Sequence, residues 1–244
     1  GQSNMEGKAS NALLDHQATD PKTQELFAHL RKGDEWIVRD DVFIKFLDRS
    51  GGLTIGYGSP SKTGAELEFG RAVGDYLEEP VILIKAAWGG HSLYQKFRSP
   101  SAGLPSDEVL EAELENAKKR VQSNNEKRKR NDPLPTMDEI KEPYGVSWRN
   151  MMTEVEFTFA NYETMFPALK GRKLEVAGFV WFQGFNDMFG DHAPNEYEKN
   201  MTLFIQDVRT SLKKPDLPFV IGALGQNGSK PAQGAMLQVR EAQM

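Results

Sequence analysis

The chain has 244 residues, of which 39% are hydrophobic and 10% aromatic; this is enough for one substantial core, and we expect a single domain over residues 1–244. Its 30 basic and 35 acidic side chains give a formal net charge of −5, which argues against nucleic acid as a partner. Because the sequence contains no cysteine and no apolar run long enough to span a bilayer, zinc–thiolate sites are excluded and we expect no membrane partner.

Runs rich in Val and Ile alternate along the chain with segments whose apolar residues recur every three or four positions. In chain order the pattern predicts a strand at 35–47, a helix at 64–79, a strand at 80–88, a helix at 148–169, a strand at 174–182, a helix at 195–214 and a strand at 217–224. This alternation is typical of a parallel sheet covered by helices, so the expected fold class is α/β.

Residues of about 98–146 differ from the rest of the chain, because they are rich in charged residues and proline and poor in apolar residues. We interpret this stretch as an insertion over the surface. The basic run at 119–130 within it is better explained by a solvated helix face than by a nucleic-acid patch, since no aromatic residues interleave to stack on bases.

Both ends are unusual for such a fold. A doubly wound sheet begins with a strand, yet no strand precedes Gly1, and the last residues, AMLQVREAQM, stop within a predicted helix. We therefore expect the chain to be trimmed at both ends.

Ser3 lies in the first stretch of the chain, GQSNMEG. A serine becomes a nucleophile when a turn exposes its hydroxyl and when a base and oxyanion donors lie near it. The Gly-x-Ser-x-Gly elbow of α/β-hydrolases is absent, since Met5 occupies the second glycine position. By itself the stretch favours a helix cap over a catalyst.

Two further stretches follow predicted strands and carry groups suited to an oxyanion hole. KAAWGGHSL, residues 85–93, contains paired glycines whose N–H groups a ligand can approach. WFQGFNDM, residues 181–188, supplies side-chain amides. Together with Ser3, these loops offer a nucleophile and donors for an oxyanion.

In this order the three stretches resemble the conserved blocks of the SGNH-hydrolase superfamily, in particular the sialate O-acetylesterase-like carbohydrate esterases, which include relatives of the acetylxylan esterases. The similarity extends over essentially the whole chain, and AGFVWFQGFNDM is its most specific part. The resemblance implies a flavodoxin-like three-layer α/β/α fold with a central parallel sheet. It also implies removal of acetyl groups from an acetylated carbohydrate, without cofactor or metal, by a periplasmic or secreted enzyme.

The resemblance also implies roles for particular residues. Ser3 is the expected nucleophile, and the N–H groups of Ser3 and Gly90 are two expected oxyanion donors. The superfamily pattern Gly-x-Asn-Asp points to Asn186 as the third donor, whereas relatives with Gln-Gly-Glu-Ser-Asp point to Gln183. The candidate substrate-binding residues beside the blocks are Trp88, His91, Trp181 and Asp187.

One feature of the family is missing. Its base is a histidine in an Asp-x-x-His motif, which this sequence lacks, and none of the four histidines takes that place. We expect the catalytic histidine to lie beyond Met244, so that this chain alone is nearly inert. The alternative is a catalytically silent carbohydrate-binding protein on the same fold.

Overall fold

The computed structural model describes residues 1–225, 228 and 230–244. Within them the α-helices are α1 (Ser3–Glu6), α2 (Asn11–Thr19), α3 (Glu66–Tyr76), α4 (Asp107–Arg128), α5 (Met137–Lys141), α6 (Val146–Met165), α7 (Ala193–Ser211) and α8 (Gly234–Glu241). The strands are β1 (Ala9–Ser10), β2 (Arg31–Lys32), β3 (Glu35–Trp36), β4 (Val42–Phe46), β5 (Arg49–Gly52), β6 (Lys62–Thr63), β7 (Val81–Lys85), β8 (Phe179–Trp181) and β9 (Phe219–Ile221).

The described strands form four small sheets. Strand β4 pairs in parallel with β7 and antiparallel with β5, and β8 pairs in parallel with β9. The other two sheets are the antiparallel pairs β1–β6 and β2–β3. The mixed α/β class predicted from the sequence is confirmed, whereas one continuous central parallel sheet is not, because no ladder joins β7 to β8 in the described part of the chain.

The strand predicted at 35–47 is two strands, β3 and β4. Between them Arg39 donates two hydrogen bonds of 2.7 Å to the carboxylate of Asp41 and one of 2.5 Å to Asp75 on α3. These charge-assisted bonds fix the segment that connects β3 to β4. The prediction of one strand over 35–47 was therefore wrong at residues 37–41, which lie between the two strands.

The largest core cluster lies between α7, α6 and strand β8. On α7 the buried residues Tyr197, Met201, Phe204 and Val208 recur every three or four positions, which places them on one face of the helix. The ring of Phe204 lies 4.6 Å from that of Trp181 on β8, and neither residue has exposed surface. Aromatic pairs of this kind stabilise a protein by more than the apolar area that they bury. The packing of α7 on β8 therefore fixes the start of the loop that follows β8.

The stretch around 98–146 packs on the rest of the molecule through few residues. Leu110 is the buried residue of α4, and it joins a small cluster with Tyr94, Tyr144 and Ala193. The hydroxyl of Tyr144 donates to Glu113 at 2.8 Å. Most of α4 therefore faces solvent.

Candidate active site

The first residues of the chain lie between the ends of β7 and β8. The Gly1 nitrogen donates to the carbonyl of Ala86 at 3.0 Å, and the Trp88 N–H donates to the carbonyl of Gly1 at 3.1 Å. On the other side the Gln2 N–H donates to the carbonyl of Phe182 at 3.3 Å. This backbone segment thus connects the loop after β7 to the loop after β8.

Close approach at this point requires a small residue. A Cβ atom on Gly1 would lie 2.7 Å from the Phe182 carbonyl oxygen and 2.6 Å from Cβ of Met5. The neighbouring Gln2 side chain is buried, and its Oε1 accepts the N–H groups of Gly184 at 3.3 Å and Asn186 at 3.4 Å. Gln2 therefore adds a side-chain link between the first stretch and the loop after β8.

Ser3 is the first residue of α1 and lines a pocket of about 320 Å³. The N–H groups of Glu6 and Gly7 close the turn on the carbonyls of Gln2 and Ser3, at 2.7 and 2.9 Å. Ser3 is partly exposed, and its hydroxyl makes no hydrogen bond to a described residue. The pocket is lined by Gln2, Ser3, Asn4, Phe182, Phe185 and Leu224.

The loop after β7 presents two exposed glycines beside this turn. The carboxylate of Glu6 accepts the N–H of Gly89 at 2.6 Å, which fixes the loop against α1. Gly90 has φ of +79°, a conformation that residues with a side chain adopt rarely. Its N–H has no hydrogen-bond partner among the described residues, and so it is available to a ligand.

The two candidate amide side chains have different surroundings. Gln183 is fully buried, and its Nε2 donates to the His91 carbonyl at 3.1 Å and to Asp187 at 2.5 Å, which occupies both of its amide hydrogens. Asn186 is partly exposed, and its side-chain amide bonds to no residue that the structure describes. The amide of Asn186 is thus open, while that of Gln183 is engaged inside the protein.

Asp187 connects the loop after β8 to the segment after the paired glycines. Its carboxylate has no exposed surface and accepts the N–H groups of Leu93 at 2.9 Å and Tyr94 at 2.7 Å, besides the amide of Gln183. Burial raises the pKa of Asp187 to about 6, against the lowering effect of these three hydrogen bonds. Asp187, which the sequence predicted as a substrate contact, is therefore buried beneath the site, where it links the loop after β8 to the segment after the paired glycines.

The aromatic residues predicted to contact substrate differ in how far they are buried. Trp181 has no exposed surface and belongs to the core, so a substrate cannot reach it in this structure. Trp88 and His91 are partly exposed, and their rings stack with centroids 6.1 Å apart. The Nδ1 of His91 lies 2.7 Å from Oγ of Ser147, and burial, with a smaller effect of Lys96, lowers the pKa of the imidazole.

The four histidines lie in different places, and none hydrogen-bonds Ser3. His29 pairs with Glu68 at 2.7 Å on the surface, and His16 lies 4.0 Å from Asp20. The ring of His192 stacks on that of Tyr94, at 6.3 Å between centroids. No histidine of the chain is therefore a hydrogen-bond partner of the Ser3 hydroxyl.

Sequence reasoning missed Gln2, Glu6, Phe185 and Leu224, which bind the loops together or line the pocket. Gln2 and Glu6 stand within the quoted stretch GQSNMEG, so their proximity to Ser3 was the available signal. Nothing in their residue types indicated that the two side chains would reach different loops.

Among the residues that the structure describes, no group of three or more His, Asp or Glu side chains is arranged to hold a metal ion. None of the described helices combines the length and apolarity needed to cross a bilayer.

Residues 146–244 match the family model of carbohydrate esterases described as sialic acid-specific acetylesterase. The matched part contains α6, β8, α7 and the Gln183–Asp187 loop, and Ser3 and Gly90 lie outside it. The resemblance to this class of carbohydrate esterases, predicted from the sequence, is confirmed, and the match supports a carbohydrate esterase function.

Two solved structures are similar to the chain. A protein from Arabidopsis thaliana, solved at 1.6 Å, is 18% identical with a TM-score of 0.55, and the alignment covers 100% of this chain and 77% of that one. A carbohydrate acetylesterase from Xanthomonas citri is 16% identical with a TM-score of 0.49, and the chain covers 45% of its length. The first of these shows a shared fold. No curated protein sequence matches the chain.

Proposed function

We propose that the protein is a serine-dependent carbohydrate O-acetylesterase that works through an acetyl-enzyme on Ser3. The observation that carries the proposal is the hydrogen-bonded junction at Gly1 and Gln2, which brings the Ser3 turn, the Gly89–Gly90 loop and the Gln183–Asp187 loop together. The pocket lined by Ser3 opens at this junction.

In the proposed reaction Ser3 Oγ forms a bond to the acetyl carbonyl carbon, and the carbonyl electron pair moves onto oxygen. The N–H groups of Ser3 and Gly90 and the side-chain amide of Asn186 stabilise this oxyanion. The free amide of Asn186, compared with the engaged amide of Gln183, supports Asn186 as the third donor. Collapse expels the sugar oxygen, which receives the proton lost by Ser3.

Water then attacks the acetyl group on Ser3 through the same oxyanion, releasing acetate and restoring the serine hydroxyl. The base that carries the proton is assigned to none of the four histidines, because none of them hydrogen-bonds Ser3. Trp88 and His91 are the proposed substrate contacts, since they are the aromatic candidates that keep exposed surface.

Acetate release from an acetylated oligosaccharide and from an aryl acetate tests the proposal. In a form of the protein that also supplies the base, Ser3→Ala should lower turnover by on the order of 10⁶, the usual loss for a nucleophile that acts together with its base. Ser123→Ala on α4 is the control and should match the parent. Turnover by Ser3→Ala within tenfold of the parent would show that Ser3 is not the nucleophile.

The alternative, a catalytically silent carbohydrate-binding protein, is favoured by the lack of a histidine partner for Ser3. It predicts saturable binding of the acetylated oligosaccharide, measured by calorimetry, without acetate release by the parent even when imidazole is added as a diffusible base. Binding that is accompanied by Ser3-dependent acetate release excludes it.

A further inference from the structure

Glu6 joins the turn that carries Ser3 to the loop that carries Gly90. It lies three residues after Ser3 on α1, and its Oε2 accepts the N–H of Gly89 at 2.6 Å across 83 positions of sequence. We infer that Glu6 is a positioning residue, which fixes the Gly90 N–H relative to the Ser3 hydroxyl. The inference rests on the proposed esterase function.

The carboxylate is itself held in one orientation. Its Oε1 accepts the Ser59 hydroxyl at 2.5 Å, and Oε2 also lies 3.1 Å from Lys8 Nζ, which in turn donates to Ser59 Oγ at 2.6 Å. Partial burial alone raises the pKa of Glu6, but the hydrogen bonds from Ser59, Lys8 and Gly89 together hold it below its ordinary value. Glu6 is therefore ionised at neutral pH, and both of its oxygens are occupied.

The backbone of Glu6 is fixed as well. Lys85, the last residue of β7, donates from Nζ to the Glu6 carbonyl at 2.9 Å and to the Tyr57 carbonyl at 2.6 Å. The same nitrogen pairs with Glu66 at 2.6 Å, and both side chains of that pair are 4% exposed. A buried ion pair thus anchors the end of α1 to β7, and the Glu6 carboxylate extends that anchoring to the next loop.

Gly89 lies in direct contact with the Glu6 carboxylate. A Cβ atom there would lie 2.9 Å from Glu6 Oε2, closer than a real Cβ approaches an oxygen. Its φ is not in the left-handed region, so a side chain at position 89 would act by displacing the Glu6 carboxylate and not by straining the backbone. The next residue, Gly90, is exposed and offers its free N–H, so a shift of Gly89 moves that donor directly.

A purely stabilising role for Glu6 predicts a different outcome. The ion pair with Lys8 is partly exposed, at 18% and 47% for the two side chains, and pairs of this kind contribute little to stability. A small displacement of an oxyanion donor, by contrast, strongly lowers the rate of the chemical step. Activity should therefore respond to Glu6 far more than the melting temperature does.

The first test compares kcat and KM for aryl acetate hydrolysis by the parent and by Glu6→Gln. The variant should lose roughly 10- to 100-fold in kcat, part of the cost of removing an oxyanion donor, with KM within about twofold. Glu175→Gln, which removes an exposed carboxylate 2.6 Å from Lys214, is the matched control and should match the parent. A kcat for Glu6→Gln within about twofold of the parent would overturn the inference.

The second test is a double-mutant cycle. Gly89→Ala should lower kcat in the parent, because its methyl group displaces the carboxylate, but should add little in the Glu6→Ala background. If the two substitutions lower kcat by factors that simply multiply in the double variant, Gly89 and Glu6 are not coupled and the inference is overturned. Both tests are run with imidazole added as a diffusible base. If the parent then releases no acetate, the proposed function has failed and this inference fails with it. If the parent is active and the cycle is additive, only this inference fails.

Discussion

The loops around Ser3 and helix α4 are both rich in polar residues. The polar side chains are buried around Ser3 and exposed to solvent on α4. Of the 22 residues of α4, Leu110 is the buried one, and the polar side chains face solvent. Around Ser3 the polar residues Gln2, Gln183 and Asp187 are at most 5% exposed. The composition of 98–146 predicted the exposed face of α4, whereas nothing in the composition of the loops around Ser3 predicted that these polar side chains are buried.

The difference matters because a buried polar group must have a hydrogen-bond partner, whereas an exposed one is satisfied by water. Each buried polar side chain near Ser3 therefore links two segments that are distant in sequence. The exposed charged side chains of α4 are satisfied by water and need no such link. Substitutions in the two regions should accordingly have very different costs.

Asp187→Ala should have the largest effect on stability. It leaves the buried N–H groups of Leu93 and Tyr94 without an acceptor, which should cost roughly 3 kcal/mol or more of unfolding free energy in urea titrations. Asp207→Ala is the matched control, since Asp207 also accepts an N–H, from Ser101 at 2.9 Å, but at an exposed contact. Equal losses in the two variants would contradict the contrast between buried and exposed polar groups.

Asp187 should also make stability depend on pH. Its pKa is about 6 in the folded protein and near its ordinary 3.8 when unfolded, so the folded state retains the proton between these values. The contribution of this group is fully present below pH 4 and is lost as pH rises to 6, by about 3 kcal/mol. In Asp187→Asn the unfolding free energy, measured between pH 4 and pH 6, should lack this loss of about 3 kcal/mol. A pH dependence equal to that of the parent would show that Asp187 is not the group responsible.

Gln2→Ala should have a smaller effect, because the two bonds that its Oε1 accepts are long, at 3.3 and 3.4 Å. We expect a loss of roughly 1–2 kcal/mol in unfolding free energy, with a larger fall in activity since the loop after β8 loses its side-chain link to the Ser3 turn and keeps only the backbone bond from Gln2 to Phe182. Calorimetric melting alongside acetate release measures both. A loss of stability with full activity would show that Gln2 does not position the loop.

The smallest effect is expected on α4. Replacing Lys119 and Arg120 together by Ala should change the unfolding free energy by less than about 0.5 kcal/mol, because both side chains are exposed and neither has a hydrogen-bonded or ion-paired partner among the described residues. Acetate release should be unchanged. A marked loss of either would mean that this helix takes part in the site.

The sequence predicted the amphipathic helices well, because apolar residues at helical spacing define a buried face whatever they pack against. Helices α3, α6 and α7 lie at or near the predicted segments 64–79, 148–169 and 195–214. The two-residue strands β1, β2, β3 and β6 were missed, since a pair of residues carries no periodicity. The extent of each sheet depends on backbone pairing between distant segments, which a local pattern does not contain.

The three loops of the candidate site could be named from the sequence, but the roles of their residues could not be separated. Gln183 and Asn186 both carry amides, and only the burial of Gln183 beside Asp187 distinguishes them. Trp88 and Trp181 likewise differ through their neighbours, since the second packs against Phe204. Burial of a particular side chain is a tertiary property, so residue type alone was insufficient.

The central claim is that the loops meet around a nucleophilic Ser3, and acetylation of that residue tests it most directly. The parent, Ser3→Ala and Ser123→Ala are incubated with an aryl acetate, with imidazole added as a diffusible base, then quenched in acid and mapped by peptide mass spectrometry. We predict one acetyl group on the Ser3 peptide of the parent and of Ser123→Ala, and none on that peptide in Ser3→Ala. An unmodified Ser3 beside acetylated surface lysines, or equal labelling of all three proteins, would contradict the account.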